Sequence, residues 1–159
     1  MSELLDDLIR ARIERGQAVA ADFRGCTEQE VASLESRTNI QLPGLFKHYL
    51  RKMGWSAGGM IKGSDVRYGC LHLLTGEVRE ETQPRNIHLP ADAFAFYAHQ
   101  GYDYMYFLQS DDPYDPKVYR YHTDWDQPRL VFAAFSDYLR WLFETLMEIP
   151  PDRLPDDTE

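Results

Sequence analysis

The chain is poor in cysteine, has no long apolar run, and carries few basic residues in its second half. Two cysteines among 159 residues, Cys26 and Cys70, are too few for a disulfide framework, and their spacing is not that of a metal site. Both read as buried thiols that pack as small apolar side chains. No stretch approaches the roughly 20 apolar residues needed to cross a bilayer, and no basic, apolar and small-residue succession of a secretory signal opens the chain. A cytoplasmic protein with no membrane contact is expected. Residues 1–100 hold 13 acidic and 12 basic side chains, whereas residues 101–159 hold 13 acidic and only 5 basic. The net charge of −9 therefore lies almost wholly in the second segment. Such a surface repels nucleic acid and attracts a basic protein, which disfavours direct nucleic-acid binding.

Groups that carry chemistry are equally sparse. Gly58-Gly59 and Gly63 have neither the spacing nor the Lys-Ser/Thr ending of a phosphate loop. Cys70 and His72 would share one face if their segment were a strand, but no third orienting group accompanies them. His99, Asp103, His122 and Asp124 approach one another only if their strands are neighbours, and their spacing is not diagnostic of a metal. Asp111, Asp112 and Asp115 lack the alternating ligands and glycine of a calcium loop. His48 reads as a boundary residue beside an apolar helix face. No catalytic residue, metal ligand or cofactor is assigned.

The densest structural signal lies in residues 25–54. Thr27 and Glu30 stand in capping-box spacing, so a helix begins at Thr27, buries Val31 and Leu34, and ends near Thr38 and Asn39, since Asn tolerates the left-handed conformation. Leu42-Pro43 opens a second helix with proline at the first helical position. Leu42, Leu45, Phe46, Tyr49, Leu50 and Met53 form its apolar face, and Gly54 stops it. A leading helix runs from about Ser2 to Ala21 with Leu5, Leu8, Ile9 and Ile13 on one side; it either packs across the two short helices or serves as an oligomer contact. Residues 56–90 show little periodicity, and Cys70–Leu74 fits a strand or a helix start. From about residue 93, FAFYA, YDYMYFLQ, KVYRYH and RLVFAAF read as strands. YDYMYFL is an interior one covered on both faces, and Gln100-Gly101 is the turn before it. Ser136 caps a last helix that presents Leu139, Leu142, Phe143 and Leu146. Helices first, a mainly antiparallel sheet, then a closing helix give an α+β fold. One domain spans 1–150, with a disordered acidic tail at 151–159.

The succession of Gly-Cys-Thr-Glu, a helix ending in Leu34-Glu35, and Leu42-Pro43 opening a helix that finishes in Tyr49-Leu50 and Gly54 resembles the N-terminal signature of the SUKH superfamily, Smi/Knr type. AFAFYAHQGYDYMYFL, KVYRYH and FSDYLRWL resemble its three later blocks, so the likeness covers residues 25–146 in separated pieces. The resemblance implies a SUKH-like α+β fold and a protein-binding role. Bacterial members commonly act as immunity proteins that neutralise a polymorphic toxin, often a nuclease or deaminase. Fungal relatives are associated with cell-wall synthesis and signalling, which gives the alternative of a regulatory or scaffold module. No enzymatic activity is implied.

The residues themselves nominate a contact surface. SDDPYDPK and TDWDQP are turn-like acidic segments with aromatic neighbours. Asp111, Asp112, Asp115, Asp124 and Asp126 are expected to steer a basic toxin. Trp125 and Tyr114 are expected to anchor it, since such rings bury much apolar area with few rotamers to freeze. The competing role for both rings is to fold back onto the sheet. Tyr102, Tyr104, Tyr106, Tyr119 and Tyr121 pair mainly across strands.

Overall fold

Five α-helices and six strands are built by the described residues: α1 (Glu3–Glu14), β1 (Phe23–Arg24), α2 (Glu28–Thr38), α3 (Gly44–Met53), β2 (Ser56–Ala57), α4 (Tyr68–Thr82), β3 (Ala93–His99), β4 (Asp103–Leu108), β5 (Val118–His122), β6 (Arg129–Phe132) and α5 (Phe135–Thr145). The structure is a computed structural model and describes residues 3–60, 64–145 and 150–154. It is an α+β fold, with strands β3-β4-β5-β6 forming one antiparallel sheet and β1-β2 a separate short pair.

The capping box at α2 is formed as its spacing predicts. Thr27 Oγ1 accepts from the Glu30 N–H at 3.1 Å, and Glu30 Oε1 accepts from the Thr27 N–H at 2.9 Å. These bonds hold the carboxyl of Glu30 below its ordinary range, the Thr27 backbone bond contributing most. Asn39 closes the helix in the left-handed conformation with φ 54°. Pro43 stands one position earlier than expected, as the N-cap of α3 in extended backbone, with Gly44 first inside. The predicted apolar face of α3 is buried throughout. The Gly25 backbone lies so close to the end of α3 that a Cβ there would collide with the Arg51 carbonyl. That approach lets the Cys26 N–H donate to Leu50 O at 2.8 Å and the Trp55 N–H to Arg24 O at 2.9 Å. The Gly-Cys-Thr-Glu run is thus the joint between two helices.

Four further expectations are corrected. The first helix ends at Glu14, not near Ala21, because Gly16 turns the chain with φ 73°; Ser2 lies outside the described residues. Cys70 and His72 belong to helix α4, where two positions apart means different faces. The last helix starts at Phe135, and Ser136 does not cap it. Instead Asp115 accepts from the Ser136 N–H at 2.8 Å and from its hydroxyl at 2.6 Å. Leu139, Leu142 and Phe143 are buried, and Leu146 lies outside the described residues. The tail expected to be disordered from 151 is placed against the sheet as far as 154, where the Leu154 N–H donates to Leu130 O at 2.9 Å; residues 155–159 are outside the description.

The sheet is covered on both faces. Phe46 of α3 lies with ring centroids 5.2–6.0 Å from Phe94, Phe96, Phe107 and Phe135, joining α3, α5 and strands β3 and β4. Helix α4 lies along β3 on the opposite side; burial, with the Glu81 and Glu77 carboxylates of α4, pushes the Tyr104 hydroxyl up to about 12. The β3 edge is occupied: the Ala95 N–H donates to Thr75 Oγ1 at 2.9 Å, and Asp65 exchanges two backbone bonds with Ala98. The β3–β4 turn carries Gln100 and Gly101 at φ 51° and 77°, the pair of positive values that suits the twist of a tight hairpin. β4 is interior, as its alternation predicts.

Phe46→Ala is expected to lower stability by about 3–5 kcal/mol, the usual cost of emptying a fully packed aromatic site, read as a lower urea midpoint with an unchanged slope. Burial, and secondarily the Glu30 charge, raises the Cys26 thiol to about 12. Cys26 is therefore expected to resist a thiol-specific dye in the native protein at neutral pH and to react once urea unfolds it.

Candidate functional site

The acidic segments nominated by the sequence fall at opposite ends of the sheet. Residues 109–117 connect β4 to β5, and residues 123–128 connect β5 to β6, so the length of β5 separates them, roughly 17 Å at about 3.4 Å per residue. The fold brings Asp111, Asp112, Tyr114 and Asp115 together at one end and Asp124, Trp125 and Asp126 at the other.

At the first end the carboxylates are spent on the fold. Asp111 Oδ2 accepts from the Lys117 N–H at 2.9 Å. Asp112 Oδ1 accepts from the N–H groups of Tyr114 and Asp115 at 2.8 and 2.9 Å, and these bonds, Asp115 first, hold its carboxyl below the usual range. Asp115 caps α5. Tyr114 is half-buried with its ring against Gly44, where a Cβ would stand 2.6 Å from the ring. The carbonyls of Pro113 and Tyr114 accept from the first N–H groups of α3, Gly44 and Leu45, at 2.9 and 3.0 Å. This loop therefore ties α3, the sheet and α5 together at their starts, where helices leave N–H groups unpaired.

At the second end the same residue types face outward. Asp124 and Asp126 are exposed, and the Asp124 carboxylate lies 3.7 Å from His122 Nδ1. That nitrogen accepts from the Asp124 N–H at 3.1 Å. A row of rings runs across the strand ends: His99 to Tyr102 at 5.6 Å, Tyr102 to His122 at 5.4 Å, and His122 to Trp125 at 5.9 Å between centroids. Tyr102, 39% exposed, stands out furthest. Trp125 is half-buried, its ring carrying the guanidinium of Arg129 at 4.1 Å and that of Arg120 at 5.0 Å. Arg85 donates to the Tyr121 hydroxyl at 2.8 Å and to the Thr123 carbonyl. With Ile87, Thr123, Asp124, Trp125 and Asp126 it lines an open depression of about 410 Å³.

Beneath this end lies a buried ion pair that sequence reasoning missed. Arg120 donates from Nε and Nη2 to the two carboxylate oxygens of Asp103 at 2.8 and 3.0 Å, and from Nη1 to the carbonyls of Pro150 and Pro151. Arg120 and Asp103 are 5% and 4% exposed. The signal available was an Asp and an Arg in consecutive strands rich in aromatic residues, since charges at such positions are buried only when paired. Asp103, first weighed with His99, His122 and Asp124 as a metal group, is committed to Arg120. Among the described residues no three His, Cys, Asp or Glu side chains converge as a metal site, and no helix is long and apolar enough to cross a membrane.

Arg120→Met leaves a buried carboxylate unpaired and is expected to cost about 3–5 kcal/mol, measured by chemical denaturation. The double change with Asp103→Leu is expected to recover most of that loss, because no unpaired charge remains.

Comparison with known proteins agrees with the architecture. A search of the curated proteins finds no match. The model of the SMI1 / KNR4 family (SUKH-1) matches residues 25–141, from the glycine joint before α2 to Trp141 in α5, a span that includes the capped helices, the whole four-stranded sheet and both of its ends. The chain belongs to the SMI1 / KNR4 family, SUKH-1.

Proposed function

We propose that this chain is an immunity protein: it binds a basic toxin and occludes the surface through which that toxin acts. Two features support the reading. Membership of the SMI1 / KNR4 family is consistent with an immunity or protein-interaction role. The outward end of the sheet combines two exposed carboxylates with a row of partly exposed rings, the mixture of steering charge and amphipathic contact area that protein interfaces favour. The single observation that carries the proposal is that Asp124 and Asp126 are exposed beside the row of rings, whereas Asp111, Asp112 and Asp115, of which Asp112 is also exposed, accept hydrogen bonds from backbone N–H groups that the fold needs paired.

In this reading the contact is made by Tyr102, His122 and Trp125, with Asp124 and Asp126 around them. Trp125 is pre-positioned by Arg129 and Arg120, so little rotamer freedom is lost when a partner covers it. The aspartates at the far end contribute only to the long-range field that accelerates encounter. A nuclease or deaminase fits as the partner because its substrate cleft is cationic, and an acidic surface over that cleft competes with the nucleic-acid backbone. Inhibition is by occlusion and needs no chemistry from this chain.

The test begins with capture of the tagged protein's partner from its source lysate, eluted along a salt gradient, and assay of that partner's activity when bound. One basic partner, inactive in the complex, is the expected result. Several weak partners favour the regulatory or scaffold role instead. With the partner in hand, D124N/D126N with Trp125→Ala is expected to weaken binding at least about tenfold, with a shallower salt dependence. Asp112→Asn and Asp115→Asn are expected to lower stability and leave affinity within about threefold. Equal effects from both groups would remove the preference for one end.

A further inference from the structure

The two edges of the four-stranded sheet differ in how they are closed. On β3, Asp65, in the loop leading into α4, exchanges backbone bonds with Ala98 at 2.7 and 3.2 Å, and the Thr75 hydroxyl of α4 takes the Ala95 N–H. On β6, the covering segment is residues 150–154. Its described backbone contact with the strand is the single bond from Leu154 N–H to Leu130 O. An ion pair between Arg129 and Asp152 at 3.6 Å, with side chains 41% and 65% exposed, adds to it. Pro150 and Pro151 are held separately, through their carbonyls on Arg120.

We propose that the outer edge of β6 is a strand-pairing surface for a second copy of this chain, held closed by the strap of residues 152–154. The Leu130 carbonyl faces outward, and in a strand a residue's N–H and C=O point to the same edge. Two copies placed antiparallel about Leu130 therefore exchange a pair of N–H to O=C bonds at that residue. In that register Arg129 lies opposite Val131 of the second copy, so like charges do not meet across the pair. Because each copy then presents β6 to the other, the arrangement is two-fold and self-complementary. Because the β3 edge is already occupied by Asp65 and Thr75, pairing ends at two copies and does not continue into a filament. The inference goes beyond the toxin-binding reading: the pairing surface is the strand edge, not the ring-lined strand ends, and it stands whether or not a toxin is the partner.

Two variants test it without disturbing the acceptors of Arg120. One carries Asp152→Asn and ends the chain there, so that the Pro151 carbonyl stays an amide; the other keeps full length but carries Asp152→Asn and Leu154→Pro, which removes the ion pair and the N–H that reaches Leu130. Mass is followed by light scattering on a sizing column over a wide concentration range, with circular dichroism to check the fold. Both variants are expected to self-associate at least about tenfold more tightly than the intact chain, to stop at twice the chain mass, and to show slowed amide exchange at Leu130 in the associated form. Folded variants that remain single at every concentration, or that grow past two copies, overturn the proposal. So does a dimer that leaves Leu130 exchange unchanged, since its contact then lies elsewhere.

Discussion

The guanidinium of Arg120 is the point on which the outward end of this molecule depends. It is buried, and a buried charge is stable only when fully paired. Asp103 on the neighbouring strand takes two of its N–H groups, and the carbonyls of Pro150 and Pro151 take a third. The same cation lies under the ring of Trp125. One side chain therefore aligns β4 with β5, fixes where the C-terminal segment returns to the sheet, and sets the height of the Trp ring above the strand ends. Replacing the pair with apolar residues would keep the layer filled but would lose that alignment, because apolar contacts do not specify direction.

The two ends of the sheet use one vocabulary for opposite purposes. Each has a loop of aspartates beside an aromatic ring. In the 109–117 loop the carboxylates of Asp111, Asp112 and Asp115 accept from backbone N–H groups, Asp112 while itself exposed and Asp115 from Ser136 at the start of α5, and the loop's own carbonyls cap α3. The helices could not pack so closely at their starts with those groups unsatisfied. In the 123–128 loop the backbone is tied down by bonds to Tyr102 and His122, leaving the carboxylates of Asp124 and Asp126 in solvent. A rigid backbone with free side chains is the condition under which a surface binds without first being ordered.

Much of the fold was legible in the sequence because it rests on local signals. Thr27, Glu30 and Asn39 act within a few residues of one another, and the apolar face of α3 is a run of spacings. The strands from residue 93 announce themselves by aromatic and branched residues broken at Gln100-Gly101. Helix α4 was not legible: it has no side-chain cap, and Gly69 and Gly76 interrupt its outer face, although Leu71, Leu74, Val78 and Thr82 keep helical spacing inside. Nor was the cap of α5, since its donor and acceptor, Ser136 and Asp115, are 21 positions apart. The site was half legible. Residue types singled out both acidic loops, but whether a carboxylate is taken up by backbone N–H groups or left free is decided by the loop backbone and the helix starts that pack against it. No spacing rule within the loop encodes that.

The functional reading rests on contact through the outward end of the sheet. Amide exchange of the protein alone and in complex with its captured partner tests it most directly. Slowed exchange is expected only at residues 100–102 and 122–128 and in the Arg85–Ile87 segment beside them, with residues 109–117 unchanged. Protection centred on 109–117, or on the exposed faces of α1 and α4, would contradict it.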